Sequence, residues 1–441
     1  MKKKKSSGYV CSVCGYKSAV PLGKCPQCGS WNSFVEVGDT ENSEINVLTL
    51  EEHTKESFER IKTGINEFDR VLGGGIVRGS IILIGGEPGI GKSTLILEVL
   101  DRIGKLGSVL YVSGEESPTQ IMMRAERLGI HNKNIELLTE QDIDIIKEVT
   151  LSRKPLLLVV DSIQTVFSKD VEGAQGNINQ VKECTRILIE IAKKHGIPVI
   201  LIGHVTKEGT IAGPKTIEHM VDGVFYIDGT RNDILRLFRG VKNRFGTTNE
   251  VGFFEMSEAG LVEVANPSLE FLSGASLKEG SVITSSLEGS LPIFFEVQSL
   301  VTPTIFPIPR RVASGIDYNR LLLLIAIIEK RLRIKLGGFD IYVNVVGGFK
   351  PDDRTNDLAF ALSIVSSYYE RKMMEKSVVL GELGLSGEVR PTVGVERMVK
   401  QGKSLGFENF ILPKFFEGKL KVDGVNLYFV STIEEAKEIA F

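Results

Sequence analysis

Between residues 58 and 266 the chain alternates two kinds of apolar pattern. Residues 81–84, 109–112, 156–160 and 199–202 are short unbroken apolar runs, whereas 95–105, 143–152 and 181–194 carry apolar positions every three or four residues. The first pattern belongs to strands buried on both faces, the second to helices with one apolar stripe. Such strands joined by helical crossovers predict an α/β domain on a parallel sheet covered on both sides. A second α/β region is predicted over 267–441. It holds a strand at 293–300, a strongly apolar helix at 319–331, a strand at 342–346, a helix at 358–369 and a hairpin at Gly387-Glu388-Val389-Arg390-Pro391. Residues 36–57 are acidic, poor in aromatics and without a sustained period, which reads as a linker behind an N-terminal module at 1–35.

The length of 441 residues suits about three domains at roughly 150 residues each. The longest wholly apolar run, 321–328, is far too short to cross a bilayer, and the lysines at 2–5 are not followed by the apolar stretch of a secretory signal. A cytoplasmic location without a membrane partner is expected. With 53 Lys and Arg against 56 Asp and Glu, the net charge of −3 gives no global attraction to nucleic acid, although local basic strips can still provide it.

Four of the five cysteines form two pairs, Cys11-x2-Cys14 and Cys25-x2-Cys28, ten residues apart. Paired knuckles of this spacing gather four thiolates around Zn2+, and Gly15 and Gly29 suit the tight turns behind each pair. A reducing cytosol disfavours the alternative of two disulfides. Four sulfur ligands leave no position for water, so the metal is expected to be structural. Trp31, the only tryptophan, is expected to form the miniature core of this ribbon rather than a base-stacking platform. Cys184, on an apolar-periodic helix, reads as a small buried hydrophobe.

Gly86-Glu87-Pro88-Gly89-Ile90-Gly91-Lys92-Ser93-Thr94 lies between a predicted strand and a predicted helix, the context that a phosphate-binding loop requires. Its glycines let backbone amides wrap phosphate oxygens, Lys92 supplies charge to the β and γ phosphates, and Ser93 can ligate Mg2+. The helix N-terminus adds its dipole to the same anion site. ATP is the expected ligand. Asp161, ending the apolar run 156–160, would hold the magnesium through water. Glu115 or Glu116, following the run 109–112, could orient the attacking water, with Glu115 the preferred candidate; the alternative for both is a helix-dipole charge ahead of Pro118.

Thr63-Gly64, Phe68-Asp69-Arg70-Val71-Leu72-Gly73-Gly74-Gly75, the phosphate loop, Gly114-Glu115-Glu116-Ser117, Gly203-His204-Val205-Thr206-Lys207-Glu208-Gly209 and Lys242-Asn243-Arg244-Phe245-Gly246 together resemble the RadA (Sms) family of bacterial DNA repair proteins, which are RecA-like ATPases. The resemblance covers essentially the whole chain. It implies that Glu115 positions the hydrolytic water and that His204 senses the γ-phosphate. It also implies that Lys242 and Arg244, following a strand at 234–238, act on the nucleotide of a neighbouring subunit in a ring, hexameric by expectation. The loop 206–216, with Lys207 and Lys215 among glycines, suits a grip on a nucleic-acid backbone. Residues 167–180, with Lys169, Gln175, Asn177 and Asn179, would be its partner loop.

The order of elements in the C-terminal region is similar to the C-terminal domain of Lon protease, which uses a Ser and Lys pair. Here the nucleophile position falls on Asn356 within Asp353-Arg354-Thr355-Asn356-Asp357-Leu358, and the lysine position falls near Glu396. An amide is a poor nucleophile and a carboxylate cannot replace an ammonium, so proteolysis is not expected. Arg310, Arg311, Arg331, Arg333 and Lys335 could line a basic channel for DNA, or could be scattered surface arginines. The expected activity is an ATP-driven DNA motor that binds single-stranded DNA, unwinds or extends branched recombination intermediates and works beside a RecA-type recombinase. A nucleotide-switched scaffold that assists the recombinase without translocating is the alternative.

Overall fold

A computed structural model describes residues 8–37 apart from 14, 15, 19 and 21, and residues 59–441 apart from 205–213, 230–234, 259, 276, 277 and 352. The chain divides into two compact units, Met1–Ser57 and Phe58–Phe441.

The small unit is a three-stranded antiparallel sheet with Gly8–Cys11 central between Lys17–Ser18 and Phe34–Val37. Cys11 and Cys25 are buried, and Tyr16 meets Phe34 edge to face at 6.5 Å. Trp31 corrects the expectation of a tryptophan core, because it is 71% exposed. Thirty residues gathered around a cysteine knuckle, with Cys11 and Cys25 in what interior there is, leave little room for an indole.

The large unit begins with a nine-stranded sheet. Six strands are mutually parallel: β1 (Ile81–Gly86), β2 (Val109–Ser113), β3 (Ile135–Thr139), β4 (Leu158–Asp161), β5 (Val199–His204) and β6 (Gly223–Asp228). Three antiparallel strands, β7 (Leu235–Asn243), β8 (Val251–Ser257) and β9 (Gly260–Glu263), complete the order β9-β8-β7-β6-β1-β5-β4-β2-β3. The crossovers are α1 (Lys92–Gly104), α2 (Pro118–Arg127), α3 (Ile143–Arg153) and α4 (Ile178–His195). Successive side chains of a strand point to opposite faces, and both faces here are covered. Ile82 and Ile84 pack with Leu95 and Val99 of α1, while Ile81 and Leu83 pack with Val181, Cys184 and Leu188 of α4. Fully burying each such aliphatic side chain contributes about 1.5–3 kcal/mol, which is why the strands read as unbroken apolar runs. Burial also pushes the Cys184 thiol up to about 12, as suits an inert core position.

The C-terminal region contains a four-stranded sheet of β10 (Ser281–Glu288), β11 (Leu291–Pro303), β12 (Arg311–Ser314) and β13 (Phe339–Val345), in the order β10-β11-β13-β12. Helices α5 (Tyr318–Leu332) and α6 (Asp357–Tyr369) supply its core, and a three-stranded parallel sheet lies beyond. Leu235, Val251 and Phe253 of the large sheet share one apolar cluster with Phe271, Ile293 and Phe295. The nucleotide-binding sheet and the C-terminal region are therefore packed together through side chains rather than joined by a bare linker.

Candidate functional site

Register places the chemistry at one sheet edge. His204 of β5 pairs with Gly86 of β1, Ile202 with Asp161 of β4, and Asp161 with Ser113 of β2. The carboxyl ends of four parallel strands thus present the phosphate loop, Asp161, His204 and the Glu115 segment together, as ligand sites in open α/β sheets require. They surround a cavity of about 510 Å3 whose lining includes Gly89, Gly91, Lys92, Ser93, Thr94, Glu115, Glu116, Asp161 and His204.

The loop curls because Gly89 and Gly91 adopt φ of 80° and 115°, a region that side chains disfavour. A Cβ on Gly91 would stand 2.7 Å from the Met256 methyl. Lys92 Nζ donates to the carbonyls of Gly86 and Glu87 at 2.9 and 3.0 Å, so the ammonium is held against its own loop. Burial lowers its pKa to about 8, against the pull of Asp161 and Glu115. A phosphate bound in the loop would add to their pull on the ammonium.

Ser93 Oγ and Tyr111 OH both donate to Asp161 Oδ2, at 2.7 and 2.6 Å. This hydroxyl–carboxylate pair beside the loop is the donor set that a hard divalent cation takes, together with its waters. Buried against Asp161, the Tyr111 hydroxyl has its pKa raised and remains a hydrogen-bond donor.

The two glutamates separate into different roles. Glu115 accepts from Ser162 Oγ and stands 3.4 Å from His204 Nε2. The hydrogen bond from His204 lowers its pKa most, burial opposes, and the Ser162 bond lowers it further. Glu116 is instead ion-paired with Arg124. Glu115 is therefore the carboxylate linked to the β5 end.

Arg124 and Arg127 of α2, Tyr111, Ser162 and Met256 were not among the sequence candidates. Arg124, Arg127 and Met256 line the cavity, while Tyr111 and Ser162 hold Asp161 and Glu115. Two arginines three positions apart, on the helix that follows the glutamates, were the available signal. That helix starts where Pro118 and a reciprocal Ser117–Gln120 capping box dictate.

Other candidates lie apart. Lys242 does not follow its strand but belongs to it, since β7 continues to Asn243 through antiparallel pairing with β6. Its Nζ donates to the Glu218 and His219 carbonyls at 2.9 and 3.2 Å, and Arg244 Nη1 stands 3.3 Å from Asp222. Neither lines the cavity around Lys92. Lys169 pairs with Asp142 at 2.5 Å, Gln175 donates to Gln141, and the Asn177 side chain caps α4. Much of the expected partner loop is thus tied into its own domain; Asn179 is exposed on the first turn of α4. Lys207 lies outside the described residues, and Lys215 is exposed in a short 3-10 turn.

In the small unit, the Sγ atoms of Cys11, Cys25 and Cys28 lie within 4.8 Å of one another, and Cys14 lies outside the described residues. Cys11 Sγ and Cys28 Sγ are 3.6 Å apart, well beyond the S–S bond length of about 2.05 Å. A converging set of thiolates fits zinc.

In the C-terminal region, Asn356 is 1% exposed and its Nδ2 donates to Thr284 Oγ1 and the Ser285 carbonyl at 2.9 and 2.8 Å. Glu396 is on the surface, paired with Lys400 at 2.6 Å. The Arg310 guanidinium sits 3.8 Å over the Phe306 ring, and Arg311 and Arg331 donate to the Leu336 and Leu385 carbonyls.

A phosphate loop, a strand-end aspartate and a glutamate–histidine pair on this sheet define a RecA-like ATPase, here with an N-terminal zinc ribbon and a C-terminal Lon-protease-like domain. Family models agree: AAA domain matches residues 48–210, rubredoxin metal binding domain matches 9–36, and subunit ChlI of Mg-chelatase matches 326–415. The chain is 46% identical over 450 residues to DNA repair protein RadA of Bacillus subtilis, covering 98% of each chain. It is 44% identical over 444 residues to DNA repair protein RadA of Aquifex aeolicus, covering 99% of this chain and 100% of that one. The chain belongs to the RadA family of DNA repair proteins. Among solved structures, that of the RadB recombinase is similar, with 27% identity, a TM-score of 0.38 and coverage of 46% of this chain and 99% of that one. No helix among the described residues is long and apolar enough to cross a membrane.

Proposed function

We infer that this ATPase is a DNA motor of homologous recombination and repair. In this reading it binds single-stranded DNA, unwinds or extends branched intermediates, and works as a ring, hexameric by family resemblance, beside a RecA-type recombinase. The observation that carries the reading is the 3.4 Å contact between Glu115 and His204. His204 is the last residue of β5, directly before the segment that holds Lys207.

Lys92 and the loop amides would hold the triphosphate, and Ser93 and Asp161 would hold a magnesium ion, which would neutralise phosphate charge. Glu115, kept ionised by its two donors, accepts a hydrogen bond from water and orients it toward the γ-phosphorus. Loss of the γ-phosphate alters what His204 contacts, and the following segment changes its hold on DNA. A ligand moves such an equilibrium only through different contacts in the two states, and the phosphate-sensing residue supplies that difference. Lys242 and Arg244, remote from their own cavity, are assigned to a neighbour's nucleotide, where positive charge stabilises the transition state. The C-terminal domain serves assembly and DNA contact rather than proteolysis, because Asn356 carries no nucleophile.

The test is unwinding of forked DNA by the parent, Lys92→Ala and Lys242→Ala proteins. Both variants should lose unwinding, and Lys242→Ala should still bind nucleotide. DNA-stimulated ATPase without strand displacement in the parent would favour the scaffold, and unwinding by Lys92→Ala would overturn the mechanism.

A further inference from the structure

The exposed tryptophan of the ribbon has no part in the ATPase site. Trp31 and Lys24 form an isolated antiparallel bridge across the second cysteine knuckle, with the Lys24 ammonium 5.3 Å from the centre of the indole. The knuckle builds this pairing. Cys25 N donates to the Ser30 carbonyl and Asn32 N to the Gly23 carbonyl, both at 2.9 Å, so Lys24 and Trp31 flank the metal ligands as the base of a tight hairpin. An indole left 71% exposed forgoes the apolar burial that elsewhere stabilises a fold. The ribbon's own aromatic contact, Tyr16 with Phe34, is made without it. The segment that carries it is one-sided in charge along the sequence: residues 1–37 contain six lysines and one glutamate, in a chain whose net charge is −3. Four thiolates on a dication return two negative charges and leave the module cationic.

A flat aromatic face with an ammonium at its side, on a cationic module, matches an unpaired base and its phosphate. We propose that the Lys24–Trp31 face is a base-stacking platform for single-stranded DNA, held in shape by the zinc knuckle. The platform rests on the DNA-binding reading above and adds a contact outside the ATPase domain.

The test uses the full chain and a fluorescein-labelled thymidine oligonucleotide. Because Trp31 is the only tryptophan, its emission reports this face alone. Emission should be quenched along the same binding curve that oligonucleotide anisotropy follows. Trp31→Ala should weaken binding about tenfold while keeping its zinc, and Trp31→Phe should recover most of the loss. Lys24→Ala should flatten the log–log salt dependence by about 0.7. Should the oligonucleotide bind without quenching, and bind Trp31→Ala equally well, the platform is overturned while the DNA reading stands. An oligonucleotide that does not bind at all removes both. Quenching by a RecA-type recombinase but not by the oligonucleotide would make the face a protein-docking site and also overturn the platform.

Discussion

Two helices of this chain begin where a related enzyme would carry its chemistry, and they begin in opposite surroundings. Helix α1 opens at Lys92, whose ammonium is held only by two loop carbonyls beside a cavity of about 510 Å3. Helix α6 is preceded by its N-cap residue Asn356, whose Nδ2 donates to Thr284 Oγ1 and the Ser285 carbonyl inside a closed core, next to an Asp357 carboxylate bound by Arg320. The first arrangement puts a buried ammonium at the edge of a space that an anion can enter, where phosphate oxygens can exchange for the loop carbonyls around it. Two α/β regions of one polypeptide thus divide labour: one keeps polar groups facing space, the other spends them on holding itself together.

The sharpest way to break this contrast is at α1. Lys92→Ala or Glu115→Gln should each lower ATP turnover by roughly two to three orders of magnitude. Only Glu115→Gln should keep nucleotide affinity in a filter-binding or calorimetric assay. At α6 the prediction is the reverse: Asn356→Ser should produce no casein cleavage. Asn356→Leu should cost about 1–3 kcal/mol in urea unfolding, because it strands Thr284 and the Ser285 carbonyl without their buried donor.

Arg124 tests how far the α1 site extends. If its pair with Glu116 shapes the cavity wall, Arg124→Ala should reduce kcat/KM for ATP about tenfold, and steady-state kinetics will show whether KM bears the change. A pH titration is gentler. The Lys92 pKa of about 8 lies below its ordinary 10.5, so ATP affinity should fall as pH rises through about 8 and the ammonium is lost. Stability without nucleotide has the opposite sign: the buried charge is a cost at lower pH that is relieved between 8 and 10.5.

The smallest effect is expected at Glu98 on the outer side of α1. Its carboxylate accepts from Leu261 N at 3.0 Å, and burial raises its pKa from 4.5 to about 7. The folded state therefore holds a proton that the unfolded chain releases, and stability contributed below 4.5 is lost as pH rises toward 7. Glu98→Gln should flatten that slope in thermal melts and leave ATP turnover unchanged.

The β1–α1 unit was legible because a phosphate loop needs particular residues at particular spacings, and unbroken apolar runs leave few alternatives to buried strands. Asp161 was legible for the same reason, as the first charge after such a run. Trp31 was not, because a tryptophan usually seeks a core and nothing local states that this module has no room for one. Lys242 was placed beyond its strand because β7 stays extended through pairing with β6, a partner distant from any local pattern. Arg124 and Arg127 carry no local signal beyond that of helix charges, and it is the path of α2 that brings them to the cavity.

The sequence alone determined the fold class, the thiolate pairs, the phosphate loop and the loss of a nucleophile at Asn356, because each depends on residue type at fixed local spacing. Tertiary structure alone decided which glutamate meets His204, where the two arginines point and whether the indole is covered. Those outcomes depend on which distant segments share a surface, and burial and Coulomb energies act through space rather than along the chain.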